Sequence, residues 1–116
     1  MTRCRNDRGA AAVEFAIISM LLVTLLMGII EFGFAFFVQG NIAGAAREAA
    51  RAHAISGDPA AAMAAATGIP AGATVDPGTC TPGAPVTVRI TYEYDGLTGF
   101  FPGYTMEGQG VMRCGG

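Results

Sequence analysis

The chain has 116 residues, 52% hydrophobic and 14% charged, against a usual charged share of about 25%. It has no lysine and a formal net charge of −2. That length allows one small domain, the apolar excess points to a membrane, and the lack of a basic face argues against a nucleic-acid binder.

The charges divide unevenly. Arg3, Arg5 and Arg8 precede the apolar run with only Asp7 against them, whereas the remainder of the chain is acidic. A basic flank stays on the cytoplasmic side of a membrane, so the amino end is expected inside and the bulk outside. Residues 15–30, FAIISMLLVTLLMGII, carry no charge, and beyond Glu31 the apolar run resumes as FGFAFFVQG. A spanning helix needs roughly 20 apolar residues and a cleavable secretory core only about 7–15, so a retained transmembrane helix is predicted. Glu14 and Glu31 lie 17 positions apart, or about 25 Å along a helix, which places them near opposite edges of the hydrocarbon layer. Glu31 reads as an interfacial acid, because an acid costs less at the edge of a membrane than at its centre.

Glu14 has a more specific setting: a short basic leader, Gly9, four small or apolar residues, Glu14-Phe15, then the apolar run. This pattern resembles a class III signal peptide, the type cut by prepilin peptidases after the glycine. The resemblance implies cleavage between Gly9 and Ala10, with the apolar helix kept on the product. A cut there creates an ammonium at Ala10. In a bundle of such helices, a neighbour's ammonium would neutralise the otherwise costly Glu14 and fix the axial register of one subunit on the next. Glu14 and Phe15 are therefore the expected assembly residues.

The resemblance extends further. R-G…V-E-F at residues 8–15, G-I-I-E-F-G at 28–33 and A-A-R-E-A-A-R at 45–51 are similar to the amino-terminal region of the TadE-like family, minor pilins or pseudopilins of the Tad/Flp branch of type IV pilus systems. Members often carry a proline shortly after the Glu-Phe pair. Here Ser19-Met20 stands in its place, so no kink is expected there.

Beyond the membrane, QGNIAGAAREAARAHAIS continues the helix. Gly40 and Gly44 form G-x-x-x-G, with Ala43, Ala46, Ala50 and Ala54 extending a small-residue surface that suits close helix packing. A flexible join at Gly40-Asn41 ahead of an ordinary alanine-rich helix fits the same residues. Arg47, Glu48 and Arg51 make a solvated face, and His53, the only histidine, reads as a solvated helix residue. The helix is expected to stop near Ile55-Ser56-Gly57. Asp58-Pro59 then offers an N-cap and first-turn pair for a short helix closed by Gly68. A Gly/Pro-rich loop follows, with a short strand around residues 73–75.

Val86, Val88, Ile90, Tyr92 and Tyr94 alternate with polar residues and predict a half-buried strand. DGLTGFFPG is a turn-rich connection whose Phe100-Phe101 pair is expected on the sheet, the alternative being contact with membrane or partner. Residues 104–114 read as a weaker, glycine-interrupted strand. Cys4 lies in the leader, which leaves Cys80 and Cys114 to the mature chain. They flank the two strands of an antiparallel hairpin, where the ends are neighbours, and an outward-facing domain would bridge them.

The expected fold is α+β and pilin-like: a leader (1–9), a transmembrane and membrane-proximal helix (10–56), and a small head (57–116) with a short helix and an antiparallel sheet. No catalytic or metal-binding motif is present in the sequence, so neither enzyme activity nor a cofactor is expected. The family resemblance implies a minor pilin whose partners are a prepilin peptidase, the major Flp-type pilin, other minor pilins, an inner-membrane platform protein and membrane lipid. It implies single-pass residence in the bacterial inner membrane, or export within a pilus, and no nucleic-acid partner. The other reading is an uncleaved anchor carrying an envelope-facing binding or sensing module.

Overall fold

The computed structural model describes residues 3–99 and 102–115. Phe100 and Phe101, expected on the sheet, lie outside the described residues. The elements are α1 (Arg3–Ser56), α2 (Pro59–Ala65), β1 (Thr74–Asp76), β2 (Pro85–Tyr94) and β3 (Tyr104–Arg113). The expected α+β class, a long apolar helix followed by a head with a short helix and an antiparallel sheet, is the architecture found. Two compact units are distinguished, Met1–Gly33 and Phe34–Gly116, and their boundary falls inside α1.

The first unit is helix alone. Its apolar side chains point outward on every side, as in Phe15, Met20 and Leu21, each at least 70% exposed. A helix that is apolar all round suits lipid or a bundle of like helices. Helix α1 is long and apolar enough to cross a membrane, and none of its 18-residue apolar window is buried. The helix passes through Ser19-Met20 without a break, as expected in the absence of proline.

The second unit is built on α1 from Phe34 to its end at Ser56. Ala35, Val38, Ile42, Ala45, Ala46, Ala49, Ala50, His53 and Ala54 are buried and recur at spacings of three and four, one stripe of the helix. That stripe faces a three-stranded antiparallel sheet in the order β1-β2-β3. On β2 the inward residues are Val86, Val88, Ile90 and Tyr94, the alternation legible in the sequence. Outward residues such as Arg89 and Glu93 are exposed, so the sheet has one covered and one wet face. Ala62 of α2 and Ala66 join the core, with Ile69, Ala73, Val75 and Tyr92 packed against it.

Strand β3 departs from its sequence reading. It is a regular ten-residue strand, paired with β2 from Pro85↔Arg113 to Tyr94↔Tyr104. Its glycines do not interrupt it; they are where it meets the helix. A β-carbon added at Gly108 would lie 2.5 Å from Ile42 Cγ2 and 2.8 Å from the Ile42 backbone carbonyl. One added at Gly110 would run into the carbonyl of Ala46. Ile42 and Ala46 are one helical turn apart, and Gly108 and Gly110 share one strand face, so the two periodicities mesh. Nearer the membrane end, Gln39 Nε2 donates to the Glu107 carbonyl at 2.9 Å. From Gln39 to Ala46 along α1, and from Glu107 to Gly110 along β3, the chain covers about 10 Å in each case.

The small-residue surface is likewise divided. Ala46, Ala50 and Ala54 are spent inside the head, whereas Gly40 and Gly44 stay exposed, with open space where their β-carbons would be. The helix runs through Gly40-Asn41 unbroken, so no flexible join exists there. It ends where expected, with Gly57 at φ +68° donating its N–H to the His53 carbonyl at 2.8 Å. Asp58 caps α2 by accepting from Ala60 N at 3.0 Å. Helix α2 closes at Ala66, two residues before the expected Gly68.

His53 is 1% exposed, not solvated. It lies seven residues after Ala46 and therefore on the buried stripe. The sequence did not reveal this, because an alanine-rich helix shows little contrast between its two faces. Its Nδ1 lies 2.8 Å from the Pro77 carbonyl. A carbonyl only accepts, so Nδ1 carries the proton. Replacing His53 with leucine leaves that carbonyl unpaired and is expected to destabilise the head by about 1–2 kcal/mol. Urea unfolding of the detergent-solubilised protein measures this, and an unchanged midpoint would mean the bond contributes nothing.

Candidate functional site

The residues marked for function are Gly9, Ala10, Glu14, Phe15, Cys80 and Cys114. The first four lie on α1 in the membrane unit, and all four are exposed. Gly9 and Ala10 are helical, and the space beside Gly9 is open. Ala10 and Glu14 are four apart, hence neighbours on one helix face. Phe15 is 73% exposed and points away from that pair's row by one residue. The expected peptide junction is thus on a bare helical surface, flanked on its carboxyl side by an acid and an aromatic ring. Glu31, expected at the wet edge of the membrane, is 4% exposed and engaged.

Cys80 and Cys114 form a disulfide, with their α-carbons 5.6 Å apart. Neighbouring bonds bind the end of the chain to the start of the hairpin: Cys114 N donates to Ala84 O at 2.9 Å and Gly83 N to Cys114 O at 3.1 Å. Gly115 N donates to Ala54 O at 3.0 Å, which ties the same corner to the end of α1. The disulfide, the His53–Pro77 bond and the Gly115–Ala54 bond hold the loop after β1, the chain end and the last turn of α1 together. The sequence missed His53 in this corner and, on the sheet, the glycine pair at 108 and 110. For the glycines a signal existed: spacing by two places both on one strand face.

Among the described residues no group of three or more His, Cys, Asp or Glu could hold a metal ion. A depression of about 350 Å³ at the open end of the β2–β3 hairpin is lined by Glu93, Tyr94, Asp95, Gly103, Tyr104 and Thr105, with no histidine or cysteine in it.

Fold and site together define a class: a candidate single-pass membrane protein made of a long apolar helix, whose basic first turns carry Gly9, and a small disulfide-bonded α+β head. The family model for TadE-like proteins matches residues 9–51. Over that stretch the chain is similar to TadE-like proteins, in agreement with the motifs at 8–15, 28–33 and 45–51. No curated protein and no solved structure matches it.

Proposed function

We propose that the protein is a minor pilin, or pseudopilin, of a Tad/Flp-type pilus, cut between Gly9 and Ala10 by a prepilin peptidase and acting to prime, cap or regulate the fibre. The supporting observation is the TadE-like match, which begins at Gly9, the residue ahead of the expected cut, and runs through the apolar helix to residue 51. The basic leader would stay on the cytoplasmic side of the inner membrane and the head would project outward. Hydrolysis of the Gly9–Ala10 peptide frees a carboxylate on the leader and an ammonium on Ala10. The product is a helix with a new positive end, and an acid in its second turn complements that end. In a bundle, the exposed Glu14 would accept the ammonium of an adjacent pilin, and Phe15 would pack beside it. The major Flp-type pilin, other minor pilins and an inner-membrane platform protein are the partners this role requires, and the head, clamped by Cys80–Cys114, would present the outward surface.

The test is genetic and visual. Deleting the chain from its own cell should remove or sharply reduce surface fibres. The wild-type chain should restore them, and Glu14→Gln, which keeps the shape and loses the charge, should not. Normal fibre numbers in the deletion strain would contradict the role, and full rescue by Glu14→Gln would contradict the register function of Glu14.

A further inference from the structure

Within the head unit, α1 changes its surface. Phe34, Phe36 and Phe37 are exposed and apolar, at 40%, 76% and 63%. From Gln39 onward the outward residues become polar or small, and the first charges are Arg47 and Glu48. If α1 spans a membrane, its boundary on the head side falls between Glu31, the edge expected from the sequence, and Val38-Gln39, where the exposed surface turns polar. The β2–β3 hairpin extends to that level and past it. Gln39 is bonded to Glu107, and one turn further toward the membrane the Phe34 ring lies 6.2 Å from that of Tyr94. Tyr94 in turn stands edge-on to Tyr104 at 5.7 Å, and Phe34 is 6.3 Å from Phe37. Four aromatic rings, two from α1 and two from the last rung of the hairpin, thus form one row where the exposed apolar surface of α1 ends. Tyrosine suits an interfacial depth, with an apolar ring and a polar hydroxyl, and of the two it is Tyr104 that is exposed, Tyr94 being buried. Tyr104 is 53% exposed and Leu97, in the connection beyond it, is 52% exposed.

We propose that the open end of the β2–β3 hairpin is a membrane-contacting edge, seated through Tyr104 and Leu97 in the headgroup layer of the leaflet on the head's side. Its partner is the lipid surface itself. Phe34, Phe36 and Phe37 follow the apolar run directly in sequence, and the Tyr94 ring stacks on Phe34. Glu93 and Asp95 stand exposed at the same end, and their charge favours zwitterionic over anionic headgroups. The contact sets the angle of the head on the bilayer and gives the subunit a second hold that must be released before it leaves the membrane.

The inference rests on reading α1 as a membrane span, and one experiment separates the two. The chain has no tryptophan, so single reporters are clean: Leu97→Trp, Tyr104→Trp, Val111→Trp at the far end of β3, and Leu22→Trp within the apolar run. Each full-length variant is reconstituted in phosphatidylcholine vesicles with and without dibrominated phosphatidylcholine, and its disulfide is checked on a non-reducing gel. The expected result is blue-shifted emission and loss of intensity to bromolipid at 97, 104 and 22, with water-like, unquenched emission at 111. Quenching at 22 with none at 97 and 104 overturns the inference and leaves the span intact. No quenching at 22 overturns both. A blue shift at 97 or 104 without quenching assigns the edge to protein contact and also overturns it.

Discussion

Gly110→Val is expected to unfold the head. The position allows no side chain: a β-carbon would enter the space of the Ala46 carbonyl and of the adjacent Arg47 nitrogen, both backbone atoms of α1. A flexible neighbour could swing aside, but a helix backbone packed on a sheet must move as a body. Overpacking ordinarily costs about 1–3 kcal/mol, and collision with helix backbone belongs at or above the top of that range. Gly108→Val meets Ile42 and should cost nearly as much. The contrast is Gly44→Ala, where nothing lies within 4 Å and the helix should gain up to about 1 kcal/mol. Thermal unfolding of the detergent-solubilised protein, followed by circular dichroism, measures all three. Equal midpoints for Gly110→Val and Gly44→Ala would show that helix and sheet do not meet at these glycines.

Removing the disulfide is the second large effect. Cys80 and Cys114 are 34 residues apart in sequence, for which the chain-entropy model gives roughly 3–4 kcal/mol. A head of this size has only about 3–5 kcal/mol from its apolar core, so the bridge is comparable to everything else that holds it folded. The double variant Cys80→Ser with Cys114→Ser, which leaves no reactive thiol in the head, is expected to populate unfolded head at room temperature. Trypsin reports this directly. Arg89 sits mid-strand in β2, paired on both sides, opposite Asp76 and Gln109, and is cut only when the sheet opens. Rapid cleavage after Arg89 in the double variant, and resistance in the parent, is the expected result. Equal resistance would mean that the bridge adds little.

The two halves of the molecule differed in how far their residues revealed them. The apolar run, its basic flank, the end of α1 at Ser56 and the cap at Asp58 were legible because each depends on local chemistry: hydropathy, charge, a glycine past the helix end, a carboxylate ahead of a proline. Strand β2 was legible because Val86, Val88, Ile90 and Tyr94 alternate. What stayed hidden was the packing between elements. His53 was read as solvated because the alanines around it, at 45, 46, 49, 50 and 54, give a helix no clear inner face. Gly108 and Gly110 were read as weaknesses in a strand because their purpose lies 66 and 64 residues away, at Ile42 and Ala46. The same holds for Glu31, whose burial no local pattern signals. For the candidate site the balance is reversed. Gly9, Ala10, Glu14 and Phe15 were picked out by sequence motif, and the fold adds only that each is exposed on a helix, because their expected partners are other chains.

The most direct test of the pilin-type route is the intact mass and amino-terminal sequence of the membrane-extracted protein, expressed with and without a prepilin peptidase. Space beside Gly9 is open, so a bulky Gly9→Leu variant folds like the parent and isolates recognition by the peptidase. A peptidase-dependent start at Ala10, lost in Gly9→Leu while the Cys80–Cys114 bridge still forms, is the predicted result. A chain that keeps its leader in the presence of the peptidase would contradict it, and the protein would then be an anchored envelope module in which Glu14 is an acid at the membrane edge.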